Sequence, residues 1–371
     1  MNREAELLLA LLHTPGIGLI TANRLRRAAG TAERLWEART HVAELMPQAS
    51  DHLQQCLLQW EAQLPQARAE ADEAGRQQIR LLTPADPDYP RWLEGVPDAP
   101  PVLFYKGTAS LNAQPMVSMV GTRHISEYGK DLCRHLVEQL AERLPQVTIV
   151  SGLAYGVDVH AHRAALDCGL PTIGVLGHGL NHLYPATHRD TANRMIAQGG
   201  LLTEYPCHAP ISRENFVQRN RIVAGLAQVT IVVESARHGG ALITAQQALD
   251  YGREVYACPG RLGDTYSEGC NRLIAHHGAT LLTSVNDLIE DMGWGRQPDR
   301  APQQLELFPT LTDTEEQLRR CLTQTEQCSP DQLVAATGLK VGEVNAALVQ
   351  LEMKGLVKLL AGNRYRWTGA R

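Results

Sequence analysis

The chain has 371 residues, 44% of them hydrophobic, and a formal net charge of −5. That length exceeds one ordinary domain and fits two or three, with apolar content enough for a sizeable core. The charge excludes wrapping nucleic acid over the whole surface, so any contact with DNA has to come from a local basic site.

Residues 1–78 read as an all-helical domain. An apolar helical stretch, Leu7–Leu12, is stopped by Thr14-Pro15-Gly16-Ile17-Gly18. The next helix has Ile20, Leu25 and Ala28 on one face, Arg24, Arg26 and Arg27 nearby, and ends at Gly30. Two short helices joined by Pro-Gly-Ile-Gly look like a helix-hairpin-helix (SAM-like) element, whose turn would offer backbone N–H groups to a phosphate. A structural turn between packed helices is the preferred reading.

Residues 79–292 alternate apolar, β-branched runs with helical patterns. The strands read are Met116–Val120, Val147–Ser151, Thr172–Leu176, Leu201–Glu204, Val229–Glu234, Glu254–Cys258 and Thr280–Thr283. Stretches such as Asp131–Leu144, Val159–Leu166 and Leu242–Tyr251 have helical spacing between them. Alternation of this kind predicts an α/β fold, a doubly wound Rossmann-like parallel sheet covered on both faces. Residues 293–311 are rich in Pro and Gln and read as a linker. Residues 312–371 then read as a winged helix. Thr312-Asp313-Thr314-Glu315 opens its first helix, Ser329-Pro330 a second that stops at Gly338, and Val341–Lys354 makes a third. Leu356–Leu360 and Arg364–Trp367 flank Ala361-Gly362-Asn363 as a terminal hairpin.

Eight cysteines without a C-x-x-C pair suit a reducing cytoplasm. The sequence Met1-Asn2-Arg3-Glu4-Ala5-Glu6 lacks the pattern of a signal peptide, and no apolar run approaches the roughly 18 residues of a membrane span. The expectation is a cytoplasmic protein without membrane contact.

Open α/β sheets bind ligands outside the carboxyl ends of their strands. Here those ends carry Gly121-Thr122-Arg123, then Ser151 to Asp158 with Gly152 and Gly156, then Gly177-His178-Gly179, then His238-Gly239-Gly240. Arg219-Asn220-Arg221 precedes the fifth predicted strand, and Asp158 is placed to cap the following helix. Glycines admit a phosphate close to the backbone, helix N-termini supply donors, and arginines add a bidentate charge. Four such loops on one sheet edge point to a polyanion or nucleotide site made of Gly121, Arg123, Gly152, Gly156, Arg219, Arg221, Gly239 and Gly240.

Enzymatic readings fail on residue type. G-x-G-x-x-G is absent after the first predicted strand, Gly129-Lys130 is followed by Asp131 rather than Ser or Thr, and no G-x-S-x-G occurs. His160 and His162 fall on different helix faces, so no metal site is expected, and His162 reads as a structural hydrogen-bonder. Asp158 and Glu234 lack a paired acid or base. No catalytic residue and no cofactor is assigned.

The motifs Val120-Gly121-Thr122-Arg123, Ser151-Gly152-Leu153-Ala154-Tyr155-Gly156-Val157-Asp158, Phe216-Val217-Gln218-Arg219-Asn220-Arg221 and Gly240-Ala241-Leu242-Ile243-Thr244-Ala245 resemble, in order, those of the DNA-processing protein A (DprA/Smf) family. Pro259-Gly260 and Gly269-Cys270-Asn271-Arg272-Leu273-Ile274 continue the match. The resemblance implies a homodimer that binds single-stranded DNA and loads the RecA recombinase onto strands covered by single-strand-binding protein during natural transformation. It places Arg123 in the first loop of a positive pocket, Gly152 and Gly156 in the second, Arg219 and Arg221 on the rim, and Gly239 and Gly240 in the loop beyond the fifth strand. Val217 stands where the family usually has proline, and Gly239-Gly240 where a Ser-Gly pair is common.

Two other functions compete. A nucleotide-hydrolysing enzyme of the lysine-decarboxylase-like (LOG) type shares the sheet, but its Pro-Gly-Gly-x-Gly-Thr motif and catalytic glutamate have no match at His238–Thr244. A winged-helix transcription regulator is weakened by Glu343 and Glu352 on the third helix. In the linker, Gln304-Leu305-Glu306-Leu307-Phe308 resembles the pentapeptide by which proteins dock on the bacterial sliding clamp. Pinning of that apolar triplet to the chain's own sheet domain is the preferred reading.

Overall fold

A computed structural model describes residues 2–295, 311–325, 327–360 and 363–368. The chain divides after Gly295 into two compact units. The peptide Gln304–Phe308 lies outside the described residues.

The first unit is built on a nine-stranded sheet. Its strands are β1 (Arg80–Leu82), β2 (Leu103–Gly107), β3 (Met116–Val120), β4 (Thr148–Ser151), β5 (Thr172–Val175), β6 (Gly200–Thr203), β7 (Val229–Val232), β8 (Glu254–Ala257) and β9 (Thr280–Leu281). They lie in the order β1-β2-β6-β5-β4-β3-β7-β8-β9. From β6 to β9 the neighbours are parallel, as the sequence predicts. Strands β3 to β7 are buried at every position, because helices cover both faces and leave no polar side to alternate with. The sequence reading missed β1 and β2, which add antiparallel to the β6 edge. The first has only three residues, and neither is set off by a crossover helix of the βαβ kind.

The chain runs outward from β3 through β4 and β5 to β6, then returns to place β7 on the other side of β3. The switch point is therefore between β3 and β7. The helix after β3, Glu127–Arg143, starts four residues before the predicted one. Ser126 caps it by accepting from the Gly129 N–H at 2.9 Å, and the Glu234 carboxylate accepts from the Ser126 N–H at 2.9 Å.

The N-terminal helices share one core with the sheet's antiparallel edge. Leu7, Leu8, Leu25, Leu57 and Trp60 pack in the same cluster as Ile79, Val102 and Phe104. Trp60 donates its indole N–H to the Leu7 carbonyl at 3.0 Å. In the Pro-Gly-Ile-Gly turn, a Cβ on Gly16 would lie 2.7 Å from Cys56 Sγ, so packing accounts for that glycine.

The second unit contains helices Asp313–Gln324, Pro330–Thr337 and Val341–Met353, followed by a hairpin of β10 (Val357–Leu360) and β11 (Arg364–Trp367). Capping boxes at Thr312/Glu315 and Ser329/Gln332 set the starts of the first two helices. Gly338 ends the second with φ 72°. Leu318, Leu322, Leu333, Leu348, Leu351 and Val357 form its core. Among the described residues, no helix is long and apolar enough to cross a membrane.

Candidate nucleic-acid interface

A cleft of about 740 Å³ opens at the carboxyl ends of β3, β4 and β7, at the switch point. Its lining brings together Gly121, Thr122 and Arg123 after β3, Gly152, Ala154 and Asp158 after β4, and residues from Ala236 to Thr244 after β7. The far wall comes from Ile211 to Asn220 and from Tyr184.

Close packing fixes the loops. Gly156 has φ +77°, and a Cβ there would lie 2.0 Å from the Thr122 carbonyl oxygen, so the second loop can sit against the first only with glycine. Gly156 itself stands behind the lining. Asp158 is in the first turn of helix Val157–Asp167 rather than at its cap, which is Gly156. Its carboxylate folds back to accept from the Gly152 N–H at 3.1 Å and the Ala154 N–H at 3.3 Å. Gly239 precedes helix Gly240–Asp250 without a side-chain cap, and Gly240 and Ala241 of its first turn line the cleft, while the Leu242 N–H is held by the Gly239 carbonyl at 3.1 Å.

The arginines divide into three roles. Arg123 is exposed on the first loop. Arg219, expected on the rim, is the floor: it is 3% exposed, and its Nη1 donates to the Val175 carbonyl. A Cβ on Gly152 would lie 2.0 Å from that Nη1, so glycine is what admits the guanidinium. Burial pulls Arg219 below its ordinary pKa, with Asp158 opposing. Burial likewise pushes the Asp158 carboxyl up, with Arg219 opposing. Arg221 is not brought to the cleft. Its guanidinium turns away to Glu204 at 2.5 Å and Asp98 at 3.7 Å, because the residue two places along a helix points elsewhere.

Sequence reasoning missed the far wall. Arg213 adds a second exposed cation, and Tyr184 and Phe216 form a tilted aromatic pair with centroids 5.6 Å apart. Ile211 and Val217 are exposed beside them. Phe216, three residues before Arg219 in the quoted motif, was the available signal; Tyr184, in a loop, and Arg213, at the start of the short helix Arg213–Gln218, belong to no motif of their own. A second groove of about 550 Å³, with Arg189, His182 and His208 in its lining, shares Tyr184 and Ile211 with the cleft.

Two further titratable groups weighed in the sequence, His162 and Glu234, are engaged structurally. His162 is fully buried, shares a hydrogen bond of 2.7 Å with Thr172 Oγ1, and is pulled down to about 3 by burial. Glu234 accepts from both the N–H and the hydroxyl of Ser126. Among the described residues no cluster of His, Cys, Asp or Glu could hold a metal ion.

The arrangement offers backbone donors and arginines for phosphate and an aromatic wall for bases. The family model for DNA recombination-mediator protein A matches residues 80–293, and that for the DprA winged helix domain matches 297–363. Protein Smf of Synechocystis sp. is 34% identical, covering 98% of this chain and 99% of its own. DNA processing protein DprA of Bacillus subtilis is 37% identical over 67% of this chain and 81% of its own. Among solved structures, DNA processing protein A of Streptococcus pneumoniae superposes with a TM-score of 0.65 at 31% identity, over 77% of this chain and 95% of that one. The Helicobacter pylori protein, whose structure describes a single-stranded DNA binding mode, gives a TM-score of 0.53 at 26% identity, over 59% and 98%. The chain belongs to the DNA recombination-mediator protein A (DprA/Smf) family.

Proposed function

We propose that the chain binds single-stranded DNA in this cleft and performs no chemistry on it. The observation that carries the reading is the pairing, across one cleft, of exposed Arg123 and Arg213 and the N-terminus of helix Gly240–Asp250 with the Tyr184–Phe216 aromatic pair. Phosphates of any sequence suit the first set, and unstacked bases suit the second, which a duplex keeps inside its stack. The single-stranded DNA binding mode described for the Helicobacter pylori relative supports it. A salt-dependent titration with oligo-dT against blunt duplex of equal length tests it. Oligo-dT binds more tightly and with a steep salt dependence; equal affinity for the duplex refutes the reading.

The family resemblance extends the proposal to a cytoplasmic homodimer that protects incoming strands and loads RecA in place of single-strand-binding protein. RecA-driven strand exchange on coated strands, with and without the chain, measures the loading, and sedimentation measures the dimer. Gln304–Phe308 remains a candidate sliding-clamp peptide. A synthetic peptide spanning 300–312 that fails to bind purified clamp returns it to a structural role.

A further inference from the structure

The loop after β8 carries one side chain that the fold does not account for. Leu262 is 94% exposed, more than any other large hydrophobic side chain among the described residues. It sits in a turn from Arg261 to Asp264, closed by the Asp264 N–H donating to the Arg261 carbonyl at 3.3 Å. Gly263 has φ +92°, the positive value that the third position of a type II turn requires. Leu262 therefore stands at the second position, on the apex. Turn positions ordinarily take Gly, Pro, Asn, Asp or Ser, and a leucine there does nothing for the turn itself. The turn rests on a fixed base. The Asn271 side-chain amide donates to the Gly260 carbonyl at 2.9 Å and accepts from the Gly260 N–H at 3.1 Å. The Ser267 N–H donates to the Asp264 carbonyl at 3.0 Å, and buried Ser235 donates its N–H to the Tyr266 carbonyl at 2.7 Å.

That base adjoins the cleft. Strand β8 is parallel to β7, so its loop leaves the sheet at the same carboxyl edge. The Tyr266 ring stacks on that of His124 with centroids 6.3 Å apart, while its carbonyl holds Ser235. Arg123 and Ala236, the chain neighbours of His124 and Ser235, line the cleft. The partner has to match one projecting apolar side chain. A protein interface buries about 800 Å² on each partner around an apolar centre. Here the residues flanking the leucine, Arg261, Gly263, Asp264 and Thr265, are all exposed and form no apolar patch. A step between stacked bases has the right scale: a leucine enters it as a wedge and partly unstacks it. The exposed cation at Arg261 suits the phosphate beside such a step.

We propose that Leu262 is an apolar wedge, which enters the base stack where a strand held in the cleft passes into duplex and unstacks the junction pair. The inference rests on single-strand binding in the cleft. A hairpin duplex with a dT tail, carrying 2-aminopurine as the paired base next to the tail, tests it with the full chain at saturation, in both tail polarities. With wild type the fluorescence of that base should rise severalfold as it leaves the stack. Leu262→Ala should lose most of the rise and bind the tailed hairpin about 3- to 10-fold more weakly, with its Kd for oligo-dT unchanged. Leu262→Met, apolar and of similar size, should keep the rise. An undiminished rise in Leu262→Ala overturns the proposal, as does a loss with methionine too. If Leu262→Ala sediments differently from wild type, the leucine belongs between two copies of the chain, and the wedge is refuted. The two readings fail separately. A wild-type chain that binds oligo-dT yet leaves the junction base stacked sinks the wedge alone, whereas one that binds no oligo-dT sinks the cleft reading and the wedge with it.

Discussion

Replacing Arg219 by alanine should damage the fold before it damages DNA binding, contrary to what a rim position would imply. The guanidinium is 3% exposed, donates to Val175 and opposes the burial-driven rise of the Asp158 pKa. Removing it deletes a charge-assisted hydrogen bond worth about 1.5–3 kcal/mol and takes away the positive charge that opposes the burial of Asp158. At about 2–4 °C per kcal/mol for a unit of this size, the melting temperature should fall by roughly 3–12 °C. The loss should also depend on pH in a definite direction. Burial holds the Asp158 carboxyl above the ordinary carboxylate range. A carboxyl raised in the native state contributes stability below its unfolded pKa and loses that contribution as pH rises through its native pKa. Without Arg219 the native value climbs further, so the deficit relative to wild type should deepen between pH 4 and neutrality. Differential scanning fluorimetry and urea titrations at pH 5 and pH 8 measure it, taken as variant minus wild type. A melting temperature equal to wild type, or a deficit that does not change with pH, would refute the argument.

Arg123→Ala, at an exposed position, should leave the melting temperature unchanged while removing a charge-assisted contact worth about 1.5–3 kcal/mol, seen as roughly a 10- to 100-fold weaker Kd for oligo-dT. Tyr184→Ala or Phe216→Ala should cost about 1–3 kcal/mol of single-strand binding, and an abasic oligonucleotide titrated in parallel should not register the change. Gly152→Ala should reproduce the instability of Arg219→Ala, since its Cβ would occupy the guanidinium's place; circular dichroism melts decide this. Arg221→Ala should lower the melting temperature through loss of the Glu204 pair yet leave the salt slope for DNA untouched.

The parallel strands were legible because burial on both faces leaves unbroken apolar runs such as Met116–Val120 and Val229–Val232, with glycine loops punctuating their ends. β1 and β2 were not, since a short antiparallel edge depends on pairing partners about 100 residues apart in the case of Phe104 and Thr203. In the site, glycine loops announced themselves by composition. The depth of Arg219 did not, because an arginine's letter carries no burial: the pocket admitting it exists only once Gly152 and Val175 are folded beside it. Arg221 looked equivalent to Arg219 in the string Arg219-Asn220-Arg221, yet helical geometry sends it to Glu204. Tyr184 and Arg213 lie far apart in sequence and meet at the cleft only through the tertiary fold.

Because Ile79, Leu81, Val102 and Phe104 pack in one cluster with side chains of residues 7–74, helices cover the apolar face of the sheet's antiparallel margin. Uncovered, that face would be a contiguous apolar patch of the kind through which chains associate. The helical segment thus behaves as a resident chaperone, holding the adhesive strip of Ile79, Leu81, Val102 and Phe104 out of circulation throughout the life of the molecule. Residues 2–295 should accordingly melt in a single cooperative transition. A chain begun near residue 79 would keep every loop of the cleft and still tend to precipitate, losing its solubility rather than its recognition of DNA.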